Sequence, residues 1–211
     1  MYSLGKVNYK TFKFELKEDL KANLESHIKS LSQESRDDLY YQNEYYGYDE
    51  MSSEYASELG IVYEVKDNSI TITGYTGSDD TLYIPKTIDE VPVEYIKGLN
   101  DLKITKLVIF AELKEVKNNS ISYCMKLTRI EVFGSLGLVG MGTFHKIKVP
   151  TLTWCGVTYL QINDNPCYLV LGYEDFLSTV NIERKCKSIR AGAFFGKNMT
   201  SVSAPSVEYI G

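Results

Sequence analysis

Two hydrophobic periods divide the chain. From Glu15 to Leu31, Leu16, Leu20, Leu24, Ile28 and Leu31 recur at steps of four, four, four and three. That spacing draws one stripe of an amphipathic helix, with Glu18, Lys21, Glu25 and Lys29 on its wetter faces. From Gly60 onward helical periods all but vanish. Val62, Val65, Ile70 and Ile72, then Leu82, Ile84, Val91, Val93 and Ile96, follow strand-like spacing between Gly and Asn corners. Such β-branched runs predict short strands. Residues 70–85, ITITGYTGSDDTLYIP, predict two strands joined by a turn over Gly77, Ser78, Asp79 and Asp80.

The strand region repeats itself. Leu127-x-x-Ile130-x-Val132, followed by Leu136, Val139-Gly140 and Thr143-Phe144, lies 23 residues after Ile104-x-x-Leu107-x-Ile109, which is followed by Leu113, Val116 and Ile121. The frame returns at Leu177 with Val180, Ile182, Cys186, Ile189 and Ala193-Phe194, and again 22 residues later at Met199 with Val202, Ala204, Val207 and Ile210. Leu82-x-Ile84-Pro85 opens the series. A period of 22–23 predicts a mainly β solenoid whose unit is one strand plus a return loop. One unit cannot bury its own apolar face. Burial is worth roughly 1.5–3 kcal/mol per large apolar side chain, and only stacked neighbours supply it.

At these residues the chain resembles the BspA-like, or Treponema pallidum-type, leucine-rich repeats. Their pattern is L-x-x-I-x-I-P-x-S-V-x-x-I-G-x-x-A-F-x-x-C. It is carried here by Ser135-Leu136, Val139-Gly140 and Phe144, by Ala191-Gly192-Ala193-Phe194, and by Pro205-Ser206-Val207 through Ile210-Gly211. The resemblance spans about residues 61–211 and implies a non-enzymatic surface module for adhesion or host-protein contact. It therefore implies a cell-surface or secreted setting. The N-terminus has charges throughout and no apolar signal segment, which argues for the cytoplasm if that terminus is native.

Three segments follow. Residues 1–31 form an appendage containing the helix, 32–59 an acidic, Tyr-rich linker or docking segment, and 60–211 the repeat domain. Residues 32–58 hold six Tyr and eight acidic residues against one Arg. Within the repeats the frame lapses at about 145–176, an insertion rich in Trp154, Tyr159, Tyr168 and Tyr173, read as an extra hairpin or a binding element. The frame also stops at Gly211 in mid-repeat, which would leave strand edges uncovered.

Charge and chemistry prune the functions. The formal net charge of -5 sits entirely in residues 1–59, with 12 acidic against 7 basic residues, which excludes a general nucleic-acid binder. No apolar run is long enough to span a bilayer. The four cysteines lack paired metal-ligand spacing, so no metal or other cofactor is expected, although Cys155 and Cys167 can pair in an oxidising compartment. His145 reads as a surface turn residue and not a catalytic base. Gly134, Gly137, Gly140 and Gly142 match neither a phosphate loop nor a dinucleotide fingerprint and read as repeat corners. The asparagine triplets at Asn118 and Asn198 also fall at corners.

Binding is the remaining work. In each repeat strand the residue between the last two apolar slots points away from the core. With their neighbours these residues form a strand face of Tyr83, Lys106, Val108, Arg129, Glu131, Asn181 and Ser203, suited to a protein or glycan. Trp154, Tyr159 and Tyr168 extend it on the insertion. Leu16, Leu20, Leu24 and Ile28 offer a second contact, through which the chain would dock as a subunit of a larger bacterial or viral assembly. Self-association through that helix or the uncapped end, and inhibition of another protein by the acidic segment, are the further readings.

Overall fold

The computed structural model describes residues 6–8, 13–15, 47–174, 177–196 and 199–211. The chain forms two units, Met1–Tyr48 and Asp49–Gly211. In the first, strand β1 (Lys6–Asn8) pairs antiparallel with β2 (Lys13–Glu15). Leu16, Leu20, Leu24 and Ile28 lie outside the described residues.

The second unit starts earlier than the composition suggests. β3 (Glu50–Met51) pairs parallel with β7 (Thr87–Ile88), and helix α1 (Ser53–Glu58) follows. The hydroxyl of Ser52 caps the helix by accepting from Tyr55 N at 3.2 Å, and Ala56 is wholly buried. The last part of the segment read as a linker is thus anchored. Next, β4 (Ile61–Lys66) and β5 (Ser69–Tyr75) form an antiparallel hairpin.

Beyond the hairpin the chain coils. β6 (Thr81–Ile84), β9 (Lys106–Ile109) and β11 (Arg129–Val132) make one parallel wall. β5, β8 (Val91–Ile96), β10 (Glu115–Val116) and β12 (Leu138–Val139) make the parallel run of the second. β5 and β6 are the two strands expected within 70–85, but they never pair with each other. They enter different walls, because each coil contributes one strand to each.

Register follows the repeat. Leu82, Leu107 and Ile130 form one rung, and Ile84, Ile109 and Val132 the next. All six are buried, as are Leu99, Ile104, Val116, Ile121, Cys124, Leu127, Val139 and Phe144 between the walls. This is a mainly β solenoid of leucine-rich-repeat character.

The insertion forms three strands of a five-stranded sheet. β13 (Thr151–Trp154), β14 (Val157–Ile162) and β15 (Asn165–Tyr173) run antiparallel. β15 then pairs parallel with β17 (Ser188–Ile189), which pairs with β19 (Tyr209–Ile210). Asn163, at the β14–β15 turn, closes the first wall by imitating a strand. Its backbone N–H donates to Ile130 O at 3.0 Å, its Oδ1 accepts from Val132 N at 2.8 Å, and its Nδ2 donates to Val132 O at 3.0 Å. Past this block, β16 (Thr179–Asn181) and β18 (Ser201–Ser203) form a separate two-stranded parallel sheet.

Candidate interaction surface

The expected single strand face is therefore two rows. In the first, Tyr83, Val108 and Glu131 stand in register, beside Thr81, Lys106 and Arg129. Val108 is fully buried and Glu131 is only 5% exposed, so neither is presented on an open face. The Glu131 carboxylate sits between Lys106 Nζ at 3.1 Å and Arg129 Nε at 2.5 Å. Those cations come from its own strand and from one coil earlier, and they compensate a charge that would otherwise be costly to bury. Next to the row, Tyr83, Phe110 and Phe133 stack nearly parallel, with ring centroids 6.5 and 5.6 Å apart. Phe110 and Phe133 were not singled out from sequence. The signal was there: each follows the last apolar slot of its strand, one 23-residue step apart.

The second row is open. Thr179 faces Ser201 and Asn181 faces Ser203, all four exposed, and Val202 between the serines is 39% exposed. Ser201 Oγ donates to Thr179 Oγ1 at 3.3 Å, tying the coils together across the surface. No charge falls within either strand.

The insertion divides its aromatic residues. Trp154 is 54% exposed on β13, beside Leu152 at 37%. Tyr159 is completely buried, and its phenol oxygen accepts from Glu183 N at 3.1 Å, so it is a core residue and is not presented on the surface. Tyr168 is half-buried and lines a cavity of about 180 Å³ with Leu136, Ser188 and the Lys187–Glu208 ion pair. The Cys155–Gly156 turn, which follows Trp154 directly, packs against Leu177, two residues before β16.

Other sequence candidates fall elsewhere. His145 is exposed, edge-on to Tyr123 at 5.6 Å, with Lys146 over the same ring. Cys155 and Cys167 are not bonded: one is exposed in a turn and the other buried. Among the described residues no cluster of three metal-ligating side chains occurs, and no helix is long and apolar enough to cross a membrane.

Burial pushes the phenols of Tyr159 and Tyr168 up to about 12 and the Cys186 thiol to about 11. Groups raised in this way stay protonated in the fold after the unfolded chain has begun to ionise. Their contribution is whole below the unfolded values and drains as pH climbs through the folded ones. The denaturation midpoint should hold up to about pH 9 and then fall steadily toward about pH 12. Urea titrations across that window check this, and a flat profile would contradict the burial of these groups.

No family model matches the chain, and no curated protein is significantly similar to it. Among solved structures, it is similar to a leucine rich cell surface protein from Faecalibacterium prausnitzii A2-165. The two are 18% identical over 72% of this chain and 43% of that one, with a TM-score of 0.37.

Proposed function

We propose that the repeat domain is a non-enzymatic module of the BspA-like leucine-rich-repeat type that binds a protein partner on its second strand row. The observation that carries this is the in-register, exposed set Thr179, Asn181, Ser201 and Ser203 on a parallel strand pair. A preformed strand pair spends little conformational entropy on binding, and uncharged amides and hydroxyls can satisfy the hydrogen bonds of a partner backbone or glycan. Trp154 supplies the large aromatic side chain that such surfaces use as an anchor. In this reading the first row, with Glu131 and Val108 buried, is a structural ladder, and Tyr83, Lys106 and Arg129 contribute at its margin.

The test immobilises the full chain and measures binding to a panel of soluble host proteins and to a glycan array. Asn181→Lys with Ser203→Lys should weaken any protein binding roughly tenfold or more while the fold persists, because two charges enter an uncharged contact. Equal binding by the double variant would remove this surface from the function. Retention of glycans alone would identify the partner class as carbohydrate.

A further inference from the structure

Residues 149–163 hold no charged side chain, although a quarter of the chain (24%) is charged. Strand β13 lies inside this stretch, at the open edge of its sheet, with all four residues exposed. Edge strands normally carry a Lys, an inward charge or a bulge that keeps other strands away. β13 carries none of these and is preceded only by Pro150.

The backbone of β13 has a defined outward side. Pro150 O accepts from Gln161 N at 3.0 Å, and Leu152 and Trp154 stand opposite Tyr159 and Val157. The hairpin closes through Cys155 and Gly156, at φ 48° and 74°, the conformation of a two-residue primed turn. Residues 150, 152 and 154 thus aim their polar backbone groups at β14. Alternation turns the N–H and C=O of Thr151 and Thr153 outward.

We propose that β13 pairs antiparallel with β13 of a second copy of this chain, about a twofold axis at Leu152. In that register Thr151 faces Thr153 of the second copy, and the reverse. Each such pair exchanges two hydrogen bonds, which uses every outward backbone group of both threonines. Leu152 meets its own counterpart on the axis, and Trp154 lies across from Pro150 of the second copy. Both contacts fall on the face that Tyr159 and Val157 continue into the core. A shift of one residue would put Leu152 on the wrong face, and a shift of two would leave only one threonine of each copy paired within the strand, so this register is favoured.

The edge complements itself. Fifteen uncharged residues offer no ion pair to a charged partner and no repulsion to a copy. A four-residue strand makes a contact at the small end of the interface range, so the association is weak and concentration-driven.

Sedimentation and light scattering on the full chain test the pairing, with the single Trp154 as a fluorescence reporter. The weight-average mass should climb toward twice the monomer value by about 1 mM, with a parallel blue shift of the emission. Thr153→Pro deletes one outward N–H and leaves the β14 ladder intact, a change that edge strands tolerate. It should weaken self-association roughly tenfold or more, with an unchanged circular dichroism spectrum. Leu152→Lys, which sets two like charges on the axis, should do the same. A monomeric wild type at that concentration overturns the proposal, as does self-association that both variants retain. The readout is the mass of the chain alone, so it is independent of whether the Asn181–Ser203 row binds a partner.

Discussion

Tyr159→Ala is expected to lower the stability of the repeat domain by about 3–5 kcal/mol, whereas Trp154→Ala on the adjacent strand should change it by less than about 0.5 kcal/mol. In sequence the two look alike, as large aromatics in a stretch without repeat frame. In the fold, Tyr159 fills a cluster with Val157, Cys167, Val170, Val180, Ile182 and Cys186, while Trp154 is half in solvent. Truncating Tyr159 leaves a cavity and orphans the amide of Glu183, which now donates to the phenol oxygen. Tyr159→Phe keeps the volume and loses only the acceptor, for about 1–2 kcal/mol. Urea unfolding followed by circular dichroism separates the three variants. Equal destabilisation by Trp154→Ala would mean that β13 is part of the core and no docking edge. The contrast also governs how binding data are read. Loss of binding in Tyr159→Ala reports unfolding, while loss in Trp154→Ala with an intact fold reports a contact.

The apolar rungs were legible because their cause is local. Leu82, Leu107 and Ile130 occupy matching slots, and the step between them is the rise of one coil. The burial of Val108 and Glu131 was not legible in the same way, since alternation within one strand assigns them to the outer face. What decides their environment lies in other coils: Lys106, one coil before Glu131, supplies half of its charge compensation. The break between the two rows was hidden for a related reason. It depends on Asn163, whose side chain copies a strand edge only because the β14–β15 turn delivers it to Val132, 31 residues away in sequence. Similarly, ITIT and TLYI do form strands, but nothing in 70–85 says that they enter opposite walls. Periodicity gives the rung and not the wall.

Gly137→Ala should cost about 3–4 kcal/mol, from overpacking against a rigid backbone plus a left-handed conformation that Ala resists. Gly137 has φ +57°, and a Cβ there would fall on the carbonyl oxygens of Leu113 and Lys114, far inside van der Waals contact. A Cβ on Gly134 would strike the Ala111 carbonyl, and one on Gly140 the Asn118 amide. The atoms met belong to the preceding coil, so the glycines are where successive coils touch backbone to backbone. A side chain can swing away from an added methyl group, but a carbonyl fixed in a parallel ladder cannot. Relief would require the coils to separate, breaking the β10–β12 pairing of Glu115 with Leu138 and Val116 with Val139. Gly196 provides the control. It too has a positive φ, +68°, but a Cβ there meets nothing within 4 Å. Gly196→Ala should therefore cost only the backbone term, about 1–2 kcal/mol. If chemical denaturation finds the two substitutions equal, the coils are not packed through their corners, and the run of glycines would need another cause.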